Sequence, residues 1–209
     1  MTAYPVHYRV ERPAHFTRFQ LGLRMVAFLV LGVAGLSFGT VFACLFLGLP
    51  MFAAVRLGAN DAEGDAATYV RTDGPRIVAG LRWFAAICAW AGLIAEELPR
   101  DAPEETVRID VDATSHATPG SALWRVVTGL PSALVLGLLC SIGVLVWLWA
   151  ALSVLFVGRV GPHAFAYLAG LQRWSIRLLA YQAALVDEYP PFSFGDLVSP
   201  APPVALAST

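Results

Sequence analysis

The chain has 209 residues, 57% of them hydrophobic and only 14% charged, with a mean hydropathy of +0.65 and a net charge of −1. An average soluble domain is roughly 25% charged, so this composition belongs to a membrane class. A near-neutral balance also supplies no field to gather nucleic acid, which excludes that partner.

The first element is a strand. Residues 6–11 (VHYRVE) alternate apolar and polar, the period of a half-buried strand, and Pro13 ends it. Residues 25–55 then form an uncharged run of thirty-one. Twenty-four mostly polar residues precede it and it far exceeds a cleavable signal's apolar core, so it reads as an uncleaved anchor. Gly32, Gly35 and Gly39 give it a small-residue face, and the Gly35/Gly39 pair offers a surface for self-association. Gly48-Leu49-Pro50 is predicted to bend or end the helix. Residues 57–74 are polar and acidic, a surface loop.

A shorter helix is predicted over 75–97, with Pro75 in the first turn. Residues 107–112 (VRIDVD) are a second alternating strand between linkers at 99–105 and 114–121. The second uncharged run, 126–157, has thirty-two residues. As one helix it would reach about 48 Å, against a hydrocarbon core of about 30 Å. Gly161-Pro162 opens a final helix to about Asp187, a Pro-rich exit follows at 189–194, and the tail 197–209 is predicted to be disordered.

This order contains itself twice. Val6 and Val107 stand 101 positions apart, as do Arg24 and Arg125 at the heads of the long runs. Further on the offset is 91, pairing Arg82-Trp83 with Arg173-Trp174 and Glu97-Leu98-Pro99 with Glu188-Tyr189-Pro190. The longer first loop absorbs the difference. The expected architecture is an all-α membrane protein of two tandem helical-hairpin repeats, 1–103 and 104–196. It has four helices, two of them long, and a small cytoplasmic two-stranded β element.

The run 126–157 holds eighteen Leu, Ile, Val or Phe residues, which favour insertion by about 5–11 kcal/mol. The final helix has about eight such residues, worth roughly 2–5 kcal/mol, against two arginines costing about 2.5–3.5 kcal/mol each if centred. Helices 75–97 and 162–187 therefore either are carried across by the long helices or lie in the interface. Four crossings put both strands on one side, where they can pair. Seven arginines (9, 12, 18, 24, 100, 108 and 125) share that side, so it is cytoplasmic, as are both termini, in a multi-pass inner-membrane protein. The alternative is a wedge in one leaflet, each long run being a re-entrant hairpin whose halves of about fifteen residues are too short to span, with the shorter helices flat on the cytoplasmic surface.

The stretch Leu155-Phe156-Val157-Gly158-Arg159, followed by Leu171, Tyr181-Gln182 and residues 187–194 (DEYPPFSF), resembles the bacterial membrane family known as domain of unknown function 4389. Its pattern is a long apolar helix closed by a Phe-x-Gly-Arg/Lys turn, an amphipathic helix and an acidic, Pro-rich exit. The similarity spans 104–194. The first half lacks the Phe-x-Gly turn and the double proline. The resemblance implies a membrane protein without an established activity, so no catalytic residue carries over.

Among chemistry-bearing residues, His7, His15, His116 and His163 have no ligand spacing, and Cys44, Cys88 and Cys140 sit as small hydrophobes in apolar segments. No catalytic constellation, metal site or cofactor loop is present. On the last helix, His163, Tyr167, Gly170, Trp174, Arg177, Tyr181, Ala184 and Glu188 step by three and four onto one face, flanked by Arg173. Either they anchor the helix at the membrane interface, or Arg173 and Arg177 fork around a lipid phosphate or a partner. The expected role is a non-enzymatic accessory or scaffold subunit, or a membrane-organising protein, in the phospholipid bilayer with a membrane-protein partner. The alternative is a small transporter or channel component.

Overall fold

The computed structural model describes residues 4–59 and 66–195. In chain order its elements are β1 (Val6–Arg9), α1 (Arg18–Val33), α2 (Phe38–Ala59), α3 (Ala66–Thr72), α4 (Gly74–Ala91), α5 (Pro103–Thr106), β2 (Arg108–Val111), α6 (Pro119–Val157) and α7 (Pro162–Gln182). The protein is thus mostly helical with one small sheet. The expected disordered tail, 197–209, lies outside the described residues.

α6 is a single helix of 39 residues, about 58 Å long. It starts on a capping box, in which the Thr118 hydroxyl accepts from Ser121 N–H while Ser121 Oγ accepts from Thr118 N–H. It closes at Gly158, whose left-handed φ of 72° suits glycine. The first apolar run behaves differently. It is broken at 34–37, where Gly35 takes φ 71°, so it forms two helices instead of one. Gly35 lies in the break and Gly39 in the first turn of α2, so the two share no helix face for self-association.

Close helix approach is instead built into α6. A Cβ on Gly143 would stand 2.8 Å from Leu171 Cδ1, and one on Gly129 3.1 Å from the Phe46 ring. Pro50 does not end its helix: α2 runs through it to Ala59. Part of the expected loop 57–74 is α3, which is held by a Tyr69 Oη donation of 2.8 Å to the Ala183 carbonyl.

The elements form layers. α2 runs antiparallel to the first half of α6, with Gly58 beside Pro119 and Phe46 beside Gly129. α1 follows the second half: the Phe28 ring meets Trp147 at 5.3 Å, and Phe16 N–H donates to the Gly158 carbonyl. α7 lies along α6, its Tyr167 Oη donating to the Leu139 carbonyl and its Gln182 Nε2 to that of Arg125. α4 crosses α7, and Gln172 Nε2 donates to the Ala85 carbonyl.

The strands pair antiparallel with Tyr8 opposite Ile109, as their alternation predicts. They sit on the shorter helices. Arg173 Nε donates to the Tyr8 carbonyl at 3.5 Å and Arg82 Nη2 to that of Ile109 at 3.1 Å. α7 is the most enclosed element, buried almost throughout from Leu168 to Gln182. The long helices keep one side against it and leave the other bare, with Leu130, Leu138, Leu145 and Phe156 exposed on α6.

Candidate functional site

The stripe predicted on α7 exists, and the chain's own exit covers it. Residues 189–194 double back along the helix. The Trp174 ring meets Phe192 at 5.4 Å and Phe194 at 6.1 Å, Tyr167 meets Phe194 at 5.5 Å, and Tyr181 meets Tyr189 at 5.6 Å. Gly170 makes room, since a Cβ there would fall 2.8 Å from that of Phe194. The guanidinium of Arg177 lies over the Tyr4 ring at 5.6 Å and donates to the carbonyls of Ser193 and Gly195. Arg173 Nη1 donates to the Phe194 carbonyl.

Trp174 is 3% exposed and Arg177 2%, while His163 stands apart, exposed in the first turn. The two arginines therefore bind backbone within the chain and present no open fork to a phosphate. The sequence holds an aromatic exit (YPPFSF) after an aromatic stripe, a pattern that does not by itself fix what covers the stripe.

Two other arginines, noticed in sequence only as markers at the heads of the apolar runs, form the most organised polar sites. α4 and α7 end in the same way. Leu93 and Ala184 adopt left-handed φ values of 58° and 53°, which costs a non-glycine residue roughly 1–2 kcal/mol. Behind each, the next N–H reaches back, Ile94 to the Ala89 carbonyl and Leu185 to that of Ala180.

Each turn leaves carbonyls pointing at the head of a long helix, and a guanidinium meets them. Arg24, fully buried, donates through Nε to Trp90 at 2.7 Å and through Nη2 to Ala95 at 2.6 Å and Glu96 at 2.7 Å. Arg125, 6% exposed, donates through Nη1 to the carbonyls of Tyr181 and Val186, and through Nη2 to the Asp187 carboxylate. Each stacks on the aromatic residue whose carbonyl it binds, Arg24 at 5.4 Å from Trp90 and Arg125 at 4.7 Å from Tyr181. The acid after each turn is used too. Glu96 accepts from Thr17 N–H and Oγ1, and Asp187 from Ser115 Oγ and His116 N–H.

A long helix closed by a Gly-Arg turn, the helix α7 and the acidic exit folded back on it are now placed together. Residues 119–193 match the family model described as a domain of unknown function, DUF4389. This is the family that the residues suggested. No curated protein and no solved structure matches the chain. The DUF4389 segment starts at the first residue of α6 and ends within the exit strap, so it holds both the stripe and the Arg125 site. β2 and the Ser115 and His116 donors to Asp187 lie just ahead of it.

Outside these sites the surface offers little chemistry. A shallow cleft of about 400 Å³ lies between α4 and β2, lined by Val78, Arg82, Ile109 and Asp110. No group of three His, Cys, Asp or Glu comes together among the described residues. Cys44 and Cys140 are exposed on the apolar face.

Two predictions follow from the arginine sites. Arg24→Ala strands several buried carbonyls, each worth about 1–3 kcal/mol, so unfolding stability in detergent should fall by roughly 3 kcal/mol. Arg24→Lys should recover little of it, because one ammonium cannot span acceptors on Trp90, Ala95 and Glu96.

The second concerns pH. Burial raises the pKa of Asp187, but the donations from His116 N–H, Ser115 and Arg125 outweigh it and hold the carboxyl below its usual range. A depressed folded pKa contributes stability above the unfolded value and loses it as pH falls through the folded one. Between about pH 5 and pH 3, melting temperature should therefore drop more steeply in the wild type than in Asp187→Asn. Parallel slopes would contradict the assignment.

Proposed function

We propose that the chain is an integral protein of a bacterial inner membrane that organises the membrane or scaffolds a complex there, without catalysing a reaction. The observation that carries this reading is the distribution of apolar surface. α2 and α6 are long and apolar enough to cross a membrane, yet only 17% of the most apolar window of each is buried. The core helix of a soluble protein of that length would be mostly covered. Here the enclosed helix is α7, and the helices that look like membrane spans are the bare ones.

The polar groups favour a scaffold over a transporter. Transport needs polar side chains lining a path, and the long runs supply six hydroxyls, all engaged locally. Ser37 bonds Thr40, Thr128 bonds Tyr181, and Ser132 bonds Tyr189. Ser141 and Ser153 donate to carbonyls of their own helix. The arginine bias supports a cytoplasmic strand face.

The same reading includes an internal duplication, with one copy in 1–103 and the other in 104–196. It is supported by the two arginine sites, whose donors are 101 residues apart and whose acceptors, including Trp90 and Tyr181, are 91 apart. The left-handed residues Leu93 and Ala184 keep the offset of 91. In the strand pair the equivalent positions Tyr8 and Ile109 face each other, and each is held by the arginine of the opposite half, Arg173 and Arg82.

The test is extraction. Membranes from expressing cells, washed with alkaline carbonate, should retain the protein in the pellet until detergent is added. Purification in mild detergent then separates the two roles: a stoichiometric co-purifying protein indicates a scaffold, and the chain alone indicates a membrane organiser. Release by carbonate would contradict the membrane reading.

A further inference from the structure

We propose that the long helices lie along the membrane plane, with the bare face of α1, α2 and α6 in the acyl chains of one leaflet and the strand pair in water. This rests on the membrane reading above and gives it an orientation. It replaces the four crossings expected from sequence with a one-leaflet placement.

The first argument is where the strands sit. α7 follows α6 lengthwise: its Gln182 is at Arg125 and its Tyr167 at Leu139. An upright α6 would therefore hold α7 upright within the bilayer. Arg173, midway along α7, carries β1 on its guanidinium, and in the two-stranded sheet of β1 and β2 the Tyr8 and Ile109 carbonyls are taken by Arg173 and Arg82. Arg9, Arg108 and Asp110 project exposed from those strands. The upright pose thus places the bare charges of this sheet at mid-membrane depth, where they are not tolerated. Turned flat, the same layers separate correctly, with apolar helices in lipid, α4 and α7 beneath the headgroups, and the charged sheet outside.

The second argument is length. The uncharged part of α6, 126–157, has thirty-two residues and spans about 48 Å. Fitting it upright into a core of about 30 Å requires a tilt of about 50°, beyond the roughly 40° seen at the extreme for crossing helices.

The third is that the apolar face runs the full length of the pair. It extends from Leu123 to Phe156 on α6 and from Val26 to Val55 along its partner helices, with no charged residue exposed within it. A crossing helix carries polar ends on opposite sides of an apolar middle. Here the charged groups cluster at the ends and on the strand side, among them Arg12, Arg18, Arg100 and Arg159, all exposed. Such a rim of arginines suits the anionic headgroups around an embedded apolar face.

The experiment places one cysteine at each end of α6. In a background of Cys44→Ser, Cys88→Ala and Cys140→Ser, Gly120→Cys and His163→Cys are labelled with an impermeant maleimide in right-side-out and in inverted membrane vesicles. Both positions are exposed, and a Cβ on Gly120 meets nothing within 4 Å.

The proposal expects both cysteines to react from the same side. Reaction from opposite sides, in protein that resists carbonate, overturns the one-leaflet placement and leaves the membrane reading standing. Carbonate release would overturn the membrane reading itself.

A nitroxide on native Cys44 or Cys140 reads the occupant of the face. Relaxation by oxygen without relaxation by a water-soluble nickel chelate is the result expected in lipid. Access to the chelate, or disulfide cross-linking of Cys140 between two copies, would overturn the proposal in favour of water or of a second chain.

Discussion

A buried guanidinium at the head of each long apolar stretch is the constraint on which the rest depends. Arg24 and Arg125 are placed where a charge is costly, and each is retained because it answers a specific need. α4 and α7 stop in turns that bring a non-glycine residue into left-handed backbone and leave carbonyls without partners. The guanidinium satisfies several at once and stacks on an aromatic ring, so the end of α4 is fixed to α1 and the end of α7 to α6. With both helix ends fixed, α7 lies along α6 and α4 packs on α7. Their outward faces then become the seat for the strands and for the exit strap.

The sequence was informative wherever one residue pattern dictated one outcome. Two uncharged runs of about thirty residues had to become apolar helices, and two alternating segments each too short to stand alone had to pair. The aromatic and basic stripe on α7 was also legible as a face. Its occupant was not, because a stripe of Trp, Tyr and Arg looks the same whether it meets lipid, a partner or the chain's own residues 189–194.

The break at Gly35 was missed for a similar reason. Glycine in an apolar helix can mark either close packing or a left-handed residue, and only the packed structure separates Gly35 from Gly143. α3 was hidden because its sequence is short and polar, and it is held by Tyr69 reaching a carbonyl more than a hundred residues away. Arg24 and Arg125 were visible as repeated letters. Their burial was not, since arginines beside apolar runs ordinarily flank the bilayer.

The layered arrangement connects these local events to a role. A fold that encloses α7, which carries two arginines and two glutamines, and leaves its most apolar helices bare is inverted relative to a soluble protein. On the proposed membrane reading, lipid covers the bare face. The hydroxyls of the long helices are already bonded, and no group of three His, Cys, Asp or Glu gathers among the described residues. In the proposed reading the molecule occupies and shapes a membrane surface, or holds a partner there. On the same reading, the strap over α7 and the charged sheet face away from lipid.

The central claim is one of orientation, and polarised infrared spectroscopy of the protein in aligned bilayers measures it directly. The amide I dichroism reports the mean angle between the helix axes and the membrane normal. The account predicts axes closer to the membrane plane than to the normal, well past the roughly 40° limit of tilted crossing helices. A mean axis near the normal would contradict it.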